Sequence, residues 1–373
     1  MSVTSLQRYF DGPRPARSGE LRAIVATADA VLRAGAGRPG SVATDWPHVY
    51  NEANLGNIMI IRSAERVVAT VGIWVNEVAL GPAVLRVGGI NCLATLPEFR
   101  RRGLGTQVME AAHARMRELG CHLGLLSTQI VSWYRKLGWE LAGTACTFQF
   151  NRSNVRLLPA LPPGVTVRLA GAEAVGDIAR LRREERLGGL RDAQTFRQVM
   201  TRRSLPRIAL ACQQDTVAAY LIAWDANVVE WGGPAPLVAG LVRAYFEMRD
   251  DPRASTSARD EAFRTIVRDQ MTLAAPVGGH PFLDLLDTLR IPVNVGYAGM
   301  LRLLDPQGIL AAFGLNDIYA SANEDVVVLH RGDQRCVLPR AQAAKLFFGP
   351  ERVSDFGADI FPLPFWQWPL EHV

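Results

Sequence analysis

Apolar residues return at every fourth position from Leu104 through Val108 and Ala112 to Met116, with Leu119 closing the same face, which predicts a helix stopped by Gly120. The stretches on either side have a different rhythm. RVVATVGIWV (66–75) and AVLRVGGINCLAT (83–95) are rich in β-branched and apolar residues and flank a turn containing Gly81 and Pro82, so they predict a central antiparallel pair. CHLGLLS (121–127) reads as a short strand, and a helix around Trp133 to Leu137 ends at Gly138. WELAGTACTFQF then returns to strand.

NRSNVRLLPALPPG (151–164), with three prolines and a glycine, reads as a linker. Beyond it the plan partly repeats: a strand at 165–170, a helix from Val175 to Arg186, a hairpin over 208–224, the strand VVEWGG, and a helix from Pro236 to Met248. Trp231, Gly232, Gly233, Pro234 and Ala235 stand where the first copy has its arginines and glycines, so the layout repeats without the chemistry. From about Pro306 a third unit carries VVVLHRGDQRCVL as a hairpin, a helix from Arg340 and the aromatic tail FPLPFWQWPLEHV. These patterns divide the chain into 1–155, 160–303 and 304–373.

At 373 residues the chain is long enough for two or three cores, and 49% hydrophobic with 21% charged residues is the balance of a soluble globular protein. Its longest apolar runs fall far short of the ~20 residues that span a bilayer. The N-terminus lacks the continuous apolar stretch of a secretory signal, so a cytoplasmic location is expected and a membrane partner is not. Five scattered cysteines without C-x-x-C spacing predict neither a disulfide framework nor a zinc site, and Cys121 beside His122 reads as core packing. The net charge is +5, but Lys136 and Lys345 are the only lysines and no basic block exceeds residues 100–102. Nucleic acid is therefore not an expected partner.

The chemistry concentrates in PEFRRRGLGT (97–106). Arg100, Gly103 and Gly105 fall into R-x-x-G-x-G between a strand and a helix. A helix mouth offers unpaired N–H groups and the positive end of its dipole, glycines let an anion come close, and arginine forks bind phosphate oxygens bidentately. The loop is a candidate pyrophosphate cradle. It is neither a Walker loop nor a dinucleotide G-x-G-x-x-G. A second segment, SWYRKLGWE (132–140), sets Tyr134 four residues before Gly138, with Trp139 directly after the glycine.

Together the two segments resemble motifs A and B of the GNAT family of acyl-CoA N-acyltransferases, and the three-part plan resembles the Eis-like subgroup. The resemblance implies an α/β (α+β) GNAT fold with a mixed, mostly antiparallel central sheet, tandem GNAT-like domains of which the second is degenerate, and a short sterol-carrier-like C-terminal domain. It implies acetyl-CoA as acyl donor and no metal. The backbone of Leu93, Ala94 and Thr95 would hold the pantetheine arm; Arg100, Arg101, Arg102, Gly103, Leu104, Gly105 and Thr106 would hold the pyrophosphate. Tyr134 would protonate the leaving thiolate, and the terminal carboxylate of Val373 would act as base, with Glu371 and His372 as alternatives.

Gln129 departs from the subgroup, which has a serine five residues before the tyrosine. His48, Tyr50 and Asn91 are weighed both as an acceptor wall and as packing. The expected activity is acetyl transfer to a primary amine of an aminoglycoside- or polyamine-like small molecule in a ternary complex, with a homo-oligomer left open. A non-catalytic acyl-CoA sensor and a lipid carrier built on the C-terminal unit are the rival classes.

Overall fold

The long apolar runs become strands of one continuous sheet. The structure is a computed structural model that describes residues 10–201, 207–224, 226–249 and 270–371. Its strands are β1 (Asp11–Pro15), β2 (Ile58–Ser63), β3 (Arg66–Leu80), β4 (Ala83–Thr95), β5 (Leu123–Leu126), β6 (Glu140–Asn151), β7 (Val165–Ala170), β8 (Leu187–Gly189), β9 (Arg207–Gln213), β10 (Thr216–Trp224), β11 (Asn227–Gly232), β12 (Gln270–Ala275) and β13 (Val293–Leu303). Across the sheet they run β1-β2-β3-β4-β5-β13-β6-β12-β11-β10-β9-β7, with β8 added to the far end of β3. β14 (Tyr319–Ala322), β15 (Val326–Arg331) and β16 (Gln334–Pro339) form a separate antiparallel sheet near the C-terminus. No helix among the described residues is long and apolar enough to cross a membrane.

The predicted helix spans Leu104–Glu118 and buries the foreseen stripe of Leu104, Val108, Ala112 and Met116. That stripe packs on the β3 side chains Ala69, Val71 and Ile73. At ~25 cal/mol per Å² of apolar surface, each such side chain contributes about 1.5–3 kcal/mol at most. The opposite face of the same strands is covered by the helix Leu21–Leu32 through Ile24 and Ala28. The β3–β4 hairpin is antiparallel from Leu80↔Ala83 outward, as its turn predicted.

Two further features position the site. β4 pairs with β5 in parallel over three positions only, Val87↔Leu123, Gly88↔Gly124 and Gly89↔Leu125, and then runs on to Thr95 with β3 as its partner. And β13, which the sequence division assigns to the central unit, is hydrogen-bonded between β5 and β6 of the first unit, with Leu303 opposite Leu123 and Val293 opposite Phe148. β6 in turn pairs with β12 of the second unit. The two units thus share one sheet by lending each other strands.

Candidate active site

Beyond Gly89 the strands β4 and β5 part, so the backbone of β4 from Asn91 to Thr95 borders an open V. A bulge sits at that point: between Gly72↔Asn91 and Thr70↔Ala94, β4 holds one more residue than β3, and Cys92 takes φ 47°. The extra residue is left out of the ladder and bends β4, which rejoins β3 at Thr70↔Ala94 and Ala69↔Thr95. Leu93 and Thr95 are half-buried and Ala94 is buried, so their backbone can face a ligand while Ala94 anchors the strand. Nothing in the sequence signals this bulge.

The loop that follows is exposed from Arg100 to Gly103. Arg101 and Gly103 both have positive φ, 60° and 78°, which brings the chain into the helix mouth in a tight turn. No side chain caps the helix Leu104–Glu118. Its first i→i−4 bond runs from Gln107 N–H to the Gly103 carbonyl at 3.0 Å, so the preceding amides stand at a free, positively polarised end. Arg100 Nε donates to the Thr95 carbonyl at 3.2 Å and Arg102 Nη2 to the Glu98 carbonyl at 3.2 Å. Both guanidiniums keep further donors for an anion.

Gly105 is where the parts meet. A Cβ built there would lie 3.5 Å from Thr95 Oγ1 and 3.8 Å from the Trp133 ring, so strand end, helix mouth and the Val131–Arg135 helix converge. Tyr134 is buried, with its ring 4.8 Å from Trp133 and 6.4 Å from Trp139 between centroids, both edge-on. Burial alone pushes its phenol up to about 12, so it stays protonated at neutral pH. The Trp139 indole donates to His113 Nε2 at 3.0 Å, fixing the residue that follows Gly138.

The opposite face of β3 and β4 carries buried polar groups. A Cβ on Gly72 would come within 2.8 Å of Val49 Cγ1 and 3.2 Å of Tyr50 Oη, so only glycine admits the Val49–Tyr50 segment there. Tyr50 is buried beside Cys92, Asn91 Oδ1 is buried without a hydrogen-bond partner among the described residues, and the His48 ring lies edge-on to Trp74 at 4.8 Å. Further along β3, Asn76, Gly189 and Glu371 converge. Gly189 N–H donates to Glu371 Oε2 at 3.2 Å, and Arg191 Nε lies 3.4 Å from Glu371 Oε1. Glu371 is fully buried, and burial raises its carboxyl. His372 and Val373 lie outside the described residues. Gln129 lies in the loop between β5 and the Tyr134 helix.

The open V between parallel strands, the uncapped arginine-rich helix mouth at its end and the helix carrying Trp133 and Tyr134 meet at Gly105. Residues 13–142 match the family model described as an acetyltransferase (GNAT) domain. The chain carries a GNAT acetyltransferase domain.

Solved structures extend the likeness to the whole chain. A GCN5-related N-acetyltransferase from Anabaena variabilis superposes with TM-score 0.65 at 14% identity, covering 91% of this chain and 89% of that one. One from Kribbella flavida gives TM-score 0.57 at 19% identity, over 87% and 83%. Eis1 from Mycobacterium abscessus gives 0.57 at 16%, over 91% and 90%. At such identities the likeness concerns the fold, which is Eis-like and extends across both GNAT-like units. A search of curated proteins finds no match by sequence.

Proposed function

We propose that the GNAT domain moves an acetyl group from acetyl-CoA to a primary amine of a small polycationic molecule, by direct attack within a ternary complex. The observation that carries this reading is the free helix mouth from Gly103 to Thr106 at the open end of the β4–β5 V. In it the loop amides and the forks of Arg100, Arg101 and Arg102 hold the pyrophosphate, and the exposed backbone of Leu93, Ala94 and Thr95 holds the pantetheine arm. A peptide N–H of this strand also faces the thioester oxygen as negative charge grows on it.

The amine nitrogen attacks the thioester carbon, the C–S bond breaks, and Tyr134 gives its proton to the departing thiolate. A thiol, near ~8.5, is a stronger acid than a phenol, so Tyr134 stays protonated until negative charge builds on the departing sulfur and then donates to it. The amine's own proton goes to the base, which we assign to the terminal carboxylate of Val373. The support is indirect: Glu371, two residues earlier, is fixed against Gly189 and Arg191 beside β3, so the chain end starts from a held point. Tyr50, His48 and Asn91 form the acceptor side. In this reading the units divide at 1–155, 160–303 and 304–373, the second serving as scaffold.

The test is thiol release from acetyl-CoA across an amine panel, with the unmodified protein, Tyr134→Phe and a chain lacking Val373. Turnover that survives both changes would remove these roles, and no turnover with any amine would point to an acyl-CoA sensor instead.

A further inference from the structure

A cavity of about 430 Å³ is lined by Arg117, Arg135, Lys136, Arg302 and Arg340. Its lining includes none of Arg100 to Thr106, and its helix residues Glu110 to Arg117 lie about 10–20 Å from the Gly103 mouth at 1.5 Å per residue. Against its five cations the lining holds three carboxylates, Glu110, Glu324 and Asp325, and Arg135 is paired with Glu140 at 2.7 Å, which leaves one positive charge in excess.

The two buried arginines show where that excess resides. Arg340 directs its donors to the backbone carbonyls of Leu303, Asn323 and Glu324, none of which carries a countercharge. Arg302, whose side chain is 3% exposed, donates to the Leu137 carbonyl and to Glu324 at 2.8 Å, and its Nε has no hydrogen-bond partner among the described residues. Glu324 is itself 67% exposed and is shared with Arg117 at 2.6 Å. Burial and the neighbouring Arg340 charge lower the Arg302 guanidinium to about 10, as expected for a cation short of anions. An unsatisfied buried guanidinium donor is costly, and a doubly charged oxyanion would supply both the missing acceptor and the missing charge.

We propose that this cavity binds a phosphoryl dianion, free or as a monoester, at an anion site distinct from the coenzyme loop. The test is calorimetric titration of sodium phosphate, at fixed ionic strength, into full-length protein already saturated with coenzyme A so that the Arg100–Thr106 loop is filled. One phosphate should bind per chain, at least tenfold more weakly to Arg302→Gln and three- to tenfold more weakly to Lys136→Gln, with coenzyme A affinity unchanged in both.

Lys136 is exposed, so that variant keeps the test intact if Arg302→Gln fails to fold. Phosphate heat that disappears once coenzyme A is bound would place the anion in the loop and overturn the proposal. So would unaltered phosphate affinity in the Lys136 variant, or no binding to the unmodified protein. Phenyl phosphate binding more tightly than inorganic phosphate would support the site and identify an ester as its ligand; equal affinity would support it as a site for free phosphate.

Discussion

The first and second GNAT-like units place a helix mouth at the same point, after β4 in one and after β11 in the other, and treat it oppositely. β11 also pairs with its parallel neighbour β12 over a short stretch, Asn227↔Thr272 and Val228↔Leu273, before the strands part. In the second unit that gap is filled. The Trp231 indole bridges it, donating to the Ala274 carbonyl at 2.9 Å, and packs edge-on against His280, Phe282 and Trp368 at 4.9, 5.1 and 5.5 Å.

The mouth of the helix Ala235–Arg249 is closed as well, by Glu185, which accepts the Gly233 N–H. A protein carboxylate thus occupies the place that a pyrophosphate would take in the first unit. A shared layout does not bring a shared opening: one tryptophan and one glutamate fill in the second unit what stays open in the first.

Copying that plug into the first unit should have the largest effect. A Cβ at Gly105 fits without a contact under 3.4 Å, so Gly105→Glu should fold, while its carboxylate repels the pyrophosphate and lowers coenzyme A affinity roughly 10³-fold by calorimetry. Emptying the second slot with Trp231→Ala should cost about 3–5 kcal/mol in denaturant unfolding, because a fully buried indole leaves a cavity. Coenzyme A should still bind at one per chain, since Glu185 keeps the second mouth closed.

Tyr134→Phe should lower kcat about 10²-fold and leave coenzyme A affinity unchanged. The smallest effect concerns Glu185. Burial raises its carboxyl from 4.5 to about 7. An acid raised on folding contributes stability that is fully present below its unfolded value and is lost as pH rises through the folded one. Stability should therefore fall between about pH 5 and pH 7.5 by at most ~1.4 kcal/mol per pH unit from this group, and Glu185→Gln should flatten that part of the profile.

How legible each half was follows from distance along the chain. Arg100, Gly103, Gly105 and Tyr134 announce themselves because their geometry is set within one turn and one short helix, and the strands around them were readable from their apolar runs. The plug was not readable, because Glu185 reaches Gly233 across 48 positions and is an ordinary helix glutamate until the fold brings it there. β13 failed to show for the same reason. VNVGYAGMLRL has the composition of any strand, and nothing local says that its partners are Leu123 to Leu126 and the β6 residues from Glu140 to Phe148. The Cys92 bulge is invisible in principle, since it depends on the offset between two strands.

The loan of β13 also bears on how the protein is made. Leu123 waits for Leu303, so a nascent chain that already holds the whole candidate site still lacks the strand that seals its sheet. At ~5–20 residues per second, ribosomes need roughly 10–40 s to deliver that piece. Until then one edge of β5 and both edges of β6 stay open to solvent and to other nascent chains. A fragment cut after the first unit would inherit that exposure permanently, because the acetyltransferase domain is completed by a strand from beyond it.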